Sequence, residues 1–270
     1  MIQDGQTRTK LMLRVNQLTG FGGGKSIYKI KQSVLFNSVS YYLYRTATIP
    51  AGDRRNWTFS FWARRTAFTG VPNTILSYEF SNAWRDRIMM GNGGANRFAY
   101  FGKHNSVSVS QIYTPAIVND IWYHWVVAAD TNNATASERL RFYKDGVQVA
   151  TTTTDRLLNQ SENTEINSNV PYVMIGNRWN SNGGTITDPA LSYLAEMIFV
   201  DGQTLDANQF GRTRGGVWVP ERYNGTYGTM GYHLDFANSG NLGLDISGNG
   251  NNWISTVPVG NVSTSIVPPS

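Results

Sequence analysis

Trp57-Thr58-Phe59-Ser60-Phe61-Trp62-Ala63 is the stretch that decides the fold. In an extended chain successive side chains point to opposite sides, so Trp57, Phe59 and Phe61 share one face and Thr58, Ser60 and Trp62 the other. Three aromatic rings on one side, against two hydroxyls and one ring on the other, describe a strand with one face on a core. The pattern predicts that Phe59 and Phe61 are buried.

Runs of the same kind lie on both sides of it, at 33–36, 41–44, 73–78, 86–91, 97–102, 107–113, 122–130, 140–144, 147–152, 172–176, 191–200 and 230–236. Turn residues separate them, as in Pro50-Ala51-Gly52-Asp53. About a dozen short strands imply an all-β domain of two packed sheets. Lys144-Asp145-Gly146-Val147 marks the clearest hairpin, because Asp-Gly supplies the positive φ angles of a type I′ turn. Residues 204–210 read as the one short helix, N-capped by Thr204 and covering a sheet edge. With 27 glycines and only 15% charged residues, the composition leaves little room for more helix.

A chain of 270 residues suits a single sandwich domain. We divide it into an extended N-terminal arm (1–31), the domain (32–253) and an extended C-terminal tail (254–270) rich in Val, Pro, Ser and Thr. The arm holds six of the 23 basic residues (Arg8, Lys10, Arg14, Lys25, Lys29 and Lys31) and one of the 18 acidic ones, Asp4. Seventeen of each sign remain, so the net charge of +5 belongs to the arm, and nucleic acid is not an expected partner of the domain. The six cations are candidates for an assembly anchor that pairs with an acidic surface. No run of 18 apolar residues exists, and Met1-Ile2-Gln3-Asp4 does not open a secretion signal, so neither membrane insertion nor Sec export is expected. The absence of cysteine rules out disulfides, thiol catalysis and cysteine-ligated metal.

Three segments carry a family likeness: residues 57–65, Trp122-Tyr123-His124-Trp125-Val126-Val127 and Phe142-Tyr143-Lys144-Asp145-Gly146. In this order they resemble core strands and the D-G hairpin of the concanavalin A-like, laminin-G-type lectin/glucanase superfamily. The resemblance implies a two-sheet antiparallel jelly-roll sandwich. A narrower likeness runs through Ser33-Val34-Leu35-Phe36-Asn37, Tyr193-Leu194-Ala195-Glu196, Asp201-Gly202-Gln203-Thr204-Leu205-Asp206, Gly216-Val217-Trp218-Val219-Pro220, Gly231-Tyr232-His233-Leu234-Asp235-Phe236 and 245–253. These resemble virion structural proteins of tailed bacteriophages. They imply a particle protein, a capsid decoration or a head or tail fibre, with capsid or tail subunits as partners. By analogy it is a homo-oligomer such as a trimer, and the same lectin-like module on a tail fibre would grip a host surface polysaccharide.

Catalysis finds little support. Glucanases of the superfamily carry their carboxylates as E-x-D-x-x-E, and this chain has no such pattern. Glu162 and Glu165 fall in a polar stretch and read as a solvated loop. His104, His124 and His233 have no metal-ligand spacing, and His124 and His233 read as core hydrogen-bonding groups. No G-x-S-x-G elbow occurs, and Gly91-Asn92-Gly93-Gly94 lacks the Lys-Ser/Thr of a phosphate loop. A degenerate glycoside hydrolase is the least favoured reading.

Ca²⁺ is common in the superfamily, and Asp235, Asp245 and Asn249 offer oxygen ligands for it. The run Asp245-Ile246-Ser247-Gly248-Asn249-Gly250 also makes a self-bonded Asx turn, which is the preferred reading, and no cofactor is required. Sugars stack their C–H faces on aromatic rings and bond their hydroxyls to polar side chains. Trp84 with Arg85, and Trp179 with Arg178 and Asn180, are the candidates for that role, read here as loop residues.

Overall fold

The computed structural model describes residues 28–45, 50–92, 95–113, 115–180, 183–264 and Pro268. Arg8, Lys10, Arg14 and Lys25 of the expected anchor lie outside the described residues. The first strands are β1 (Ser33–Phe36), β2 (Leu43–Arg45), β3 (Asn56–Arg65), β4 (Thr74–Ser81), β5 (Trp84–Asn92), β6 (Ala95–His104) and β7 (Val107–Tyr113). They are followed by β8 (Trp122–Asp130), β9 (Leu140–Lys144), β10 (Val147–Val149), β11 (Tyr172–Ile175), β12 (Arg178–Asn180), β13 (Thr185–Thr187) and β14 (Ser192–Asp201). The last are β15 (Gly211–Arg214), β16 (Val217–Pro220), β17 (Tyr232–Leu234), β18 (Ile254–Ser255) and β19 (Val262–Ser263).

One sheet runs β10-β9-β8-β3-β14-β1-β19, with β17 also on β14; the other runs β18-β2-β11-β4-β5-β6-β7. The hairpins β12-β13 and β15-β16 stand apart from both. Strand β3 lies in the middle of the first sheet, and Trp57, Phe59 and Phe61 point inward and are fully buried. Leu76, Ile88, Phe98 and Tyr100 meet them from the second sheet. Phe98 stacks on Trp125 with ring centroids 4.0 Å apart and so joins the sheets. Each buried ring of this size stabilises the fold by about 2–3 kcal/mol.

The other face of β3 departs from expectation, since Thr58, Ser60 and Trp62 are buried as well. Residues after β14 fold back over this outer face, where Leu205, Phe210 and Tyr223 pack on Val126, Ala128, Ile198 and Val200. The hydroxyls are used to dock that cover: Thr58 Oγ1 donates to the Gln203 carbonyl and accepts from the Leu205 N–H, both at 2.8 Å. Ile30 packs on Trp62 and Ala195 of the same face.

The short helix expected at 204–210 does not form. A single 3₁₀ turn, Ala207–Gln209, follows Asp206 instead, and Thr204 spends its hydroxyl on the Ala129 carbonyl of β8 rather than on a cap. Anchoring to the sheet beneath leaves no room for a full helical turn. The Asp145-Gly146 hairpin forms as read, with φ of 48° and 86° and Val147 opposite Lys144. The following strand stops at Val149, and Thr152 makes only an isolated bridge to Ile112. Residues 254–263 add an edge strand to each sheet through β18 and β19, with Val257 buried between them.

Candidate functional site

Strand alternation decides what the outer face of the seven-stranded sheet presents. The register places Tyr172, Glu79, Arg85, Lys103 and Ser108 in one cross-strand row, and Met174, Ser77, Arg87, Phe101 and Ser110 in the row beside it. Leu76, Tyr78, Ile88 and Tyr100 occupy the opposite, core-facing side. Hairpin β12-β13 lies over one end of these rows. Its Trp179 stacks on Tyr172, with centroids 4.6 Å apart and planes 13° from parallel.

Charge gathers beside that aromatic pair. Glu79 is fully buried and accepts from Arg87 Nε at 2.7 Å, with Arg178 Nη1 at 3.8 Å from the same oxygen. Arg178 Nε donates to Asp188 at 2.5 Å, and Arg85 donates to Asn82. Burial pushes the Glu79 carboxyl up, opposed by Arg87, Arg178 and Arg85. It lowers the Arg87 guanidinium to about 10, with Glu79 resisting. Four cations, Arg85, Arg87, Arg178 and Lys103, thus share the face with two carboxylates, Glu79 and Asp188. An aromatic platform next to an excess of guanidinium donors suits a ligand with an apolar face and negative groups.

The five sugar-binding candidates sort onto two places, and none is a simple loop residue. Arg85, Arg178 and Trp179 belong to the face just described, with Asn180 at the end of β12 opposite Thr185. Trp84 faces the other way at the head of β5, where its half-exposed ring stacks at 6.4 Å with His104. Tyr172, Glu79, Arg87 and Lys103 went unnoticed in the sequence. The available signal was Arg85-Asp86-Arg87, which puts two cations on one side of a strand.

Glu162 and Glu165 are not a solvated loop. His104 donates from Nε2 to Asp86 at 2.9 Å and from Nδ1 to Glu162 at 2.8 Å, and Arg156 holds both Glu162 oxygens at 2.7 and 2.6 Å. Burial alone would lower the imidazole, but Asp86 and then Glu162 outweigh it and raise His104 to about 10. Burial would likewise raise Glu162, yet Arg156 and His104 hold it far below the usual carboxylate range. Glu165 pairs with Arg54 at 2.5 Å, and burial keeps it raised. The network arises because Asp86 lies on the core face of β5, in line with Ile88 and Met90, where a lone carboxylate is costly. Next to it, Asp53, Arg54, Arg55, Asn56, Asn132 and Asn163 line an open polar groove of about 410 Å³ without an aromatic ring.

His124 is a core hydrogen-bonding group. Its Nδ1 accepts from Trp218 Nε1 at 3.0 Å, which leaves Nε2 to donate to Ser60 at 2.9 Å, and burial lowers its pKa to about 3. His233 bonds Glu196 at 2.6 Å and Tyr227 at 3.0 Å. The Asp245 carboxylate accepts from the N–H groups of His233, Ser247 and Asn251 and from the Ser247 hydroxyl, all at 2.8–2.9 Å. Asn249 donates to the Gly228 and Gly231 carbonyls, and Asp235 accepts from the Ala237 N–H. Four donors thus engage the Asp245 carboxylate in the turn, while Asp235 belongs to a separate turn. Lys29 and Lys31 are exposed, on either side of buried Ile30.

Two antiparallel sheets enclosing an aromatic core make this an all-β sandwich of the lectin type. The chain belongs to the concanavalin A-like lectin/glucanases superfamily, whose laminin G family model matches residues 40–197. No curated protein sequence shows a significant match. Similar solved structures include a heptameric SAP-like pentraxin from Limulus polyphemus (15% identity, 68% of this chain and 82% of that one, TM-score 0.45). Mouse laminin alpha1 domains LG4-5 match at 11% identity over 76% and 47% of the two chains, with a TM-score of 0.43. The sialidase CBM40 of Ruminococcus gnavus bound to alpha2,3 sialyllactose matches at 12% over 62% and 91%, with a TM-score of 0.41.

Proposed function

We propose that this chain is a non-catalytic, glycan-binding module displayed on a tailed-bacteriophage particle. The observation that carries the binding is the Trp179–Tyr172 stack standing beside the row Glu79, Arg85 and Lys103. Aromatic faces take the C–H side of a sugar ring, and the flanking polar groups take its hydroxyls. A non-catalytic reading is supported by the way Glu162 is used, since both its oxygens are held by Arg156. The phage setting rests on the sequence segments that resemble virion proteins. In that setting the module is a capsid decoration or a fibre component, a homo-oligomer by analogy, and an adhesin when it stands on a tail fibre. It needs no cofactor.

A glycan array read with wild type, Trp179→Ala and Trp84→Ala tests the binding. The expected result is a signal that Trp179→Ala abolishes with the thermal midpoint unchanged within a few degrees. An array with no signal for the wild type overturns it. Deleting residues 1–27, which leaves Tyr28 and Ile30 packed on the domain, tests the setting: a folded domain that no longer incorporates into particles supports an anchored virion component, and undiminished incorporation refutes the anchor.

A further inference from the structure

The polar atoms on the ligand face are not all spoken for. Arg87 Nη2, Arg85 Nε and Glu79 Oε2 are buried and have no hydrogen-bond partner in the protein. Arg87 itself is only 6% exposed. Three guanidinium groups converge here on two carboxylates, and Arg178 is already committed to Asp188 at 2.5 Å and Arg87 to Glu79 at 2.7 Å. Arg85 has one side-chain bond, to Asn82, and lies opposite Lys103 in the register. Buried donors of a cation are costly to leave without an acceptor, and a guanidinium matches a planar carboxylate through paired N–H bonds.

We infer that Arg85 and Arg178, both half-buried, form a subsite for the carboxylate of an acidic sugar residue whose ring lies against Trp179, with Arg87 and Glu79 closed off beneath them. A sugar acid supplies a carboxylate for the guanidinium groups and an apolar ring face for Trp179 at once, which neither a neutral sugar nor a bare inorganic anion does. The inference rests on the glycan-binding reading above and names the class of glycan. Lys103, half-buried and opposite Arg85 in the row, extends the positive field toward the next residue of a polyanionic chain.

The test is isothermal titration of the full chain with polygalacturonate, dextran and dextran sulfate at low and moderate salt. Polygalacturonate is expected to bind, and to keep most of its affinity at moderate salt, while dextran does not. Arg85→Met leaves the Glu79–Arg87 and Arg178–Asp188 pairs in place, so it should fold and weaken polygalacturonate binding about tenfold or more, the loss of a charged hydrogen bond. Lys103→Met gives a second folded variant, with a smaller loss concentrated at low salt. Equal binding of dextran and polygalacturonate overturns the inference and leaves the glycan reading standing. Preference for dextran sulfate with steep salt dependence overturns it too, as a mere field effect. Undiminished binding by folded Arg85→Met does the same, and no binding to any polymer tells against both readings.

Discussion

The protein is expected to be most stable near pH 6.5, with the alkaline side of the maximum set by His104. Both ring nitrogens of His104 face carboxylates, so the folded state holds the imidazolium and raises its pKa from 6.5 to about 10. Between those values the unfolded chain has released a proton that the folded protein keeps. The stability from this group is therefore complete below pH 6.5 and falls as pH rises, at about 1.4 kcal/mol per pH unit and with a ceiling of about 5 kcal/mol. His124 works in the opposite sense. It is buried neutral with a pKa lowered to about 3, so its share is present above pH 6.5 and is lost as pH falls. Glu162, held low, adds to the acid loss once the pH drops below its ordinary 4.5. Urea unfolding of wild type and His104→Gln from pH 4 to 10 separates the two sides. The variant should lose the alkaline slope, keep the acid one, and sit about 3 kcal/mol lower at pH 6.5, as expected when one partner of a buried ion pair is removed. A wild-type curve that is flat from pH 7 to 10, or an alkaline slope that survives in His104→Gln, refutes the assignment of a charged His104.

Gly176 and Gly202 have similar positive φ angles, 86° and 77°, yet an added Cβ at Gly176 would lie 2.3 Å from the Phe36 ring while nothing lies within 4 Å at Gly202. Alanine at Gly202 should cost about 1 kcal/mol and at Gly176 about 3 kcal/mol or more in urea midpoints, the difference being the clash. Phe98→Ala removes the ring that bridges the sheets and should cost about 3–5 kcal/mol by the same measurement, with a near-ultraviolet circular dichroism change from Trp125.

What the sequence disclosed was what is local. The aromatic alternation of β3 and the Asp145-Gly146 turn each carry their conformation within a few residues, and both were legible. The fate of Thr58 was not, because the segment that covers it begins some 145 positions later and period-two alternation says nothing about what lies beyond the polar face. Glu162 misled for the same reason: polar neighbours suggest solvent, while His104 reaches it from the end of β6, some 58 positions earlier. At the ligand face, Arg85, Arg178 and Trp179 stood out by residue type, but Tyr172, Glu79 and Lys103 join them only through strand register, which no single run encodes.

The two roles proposed for the chain fall on opposite sides of the sandwich. The chain enters the described fold at Tyr28, whose hydroxyl bonds Glu196 while Arg222 lies over its ring, and Ile30 then packs on Trp62 and Ala195. All of these contacts lie on the outer face of the eight-stranded sheet. Glu196 holds a φ of 49° at the bulge where β14 shifts register, a conformation worth about 1–2 kcal/mol of strain for a residue with a Cβ. Its bonds to Tyr28 and His233 offset that strain, so the entry point of the arm is fixed by the fold itself. The aromatic and arginine face is the outer side of the other sheet, with the whole core between. A chain entering at Tyr28 leaves the half-buried Arg85, Arg178 and Trp179 on the opposite side, as display on a particle requires. With no shared contacts the two defects should combine independently: Trp179→Ala should abolish glycan binding without affecting incorporation, and deletion of residues 1–27, which keeps Tyr28 and Ile30 in place, should do the reverse.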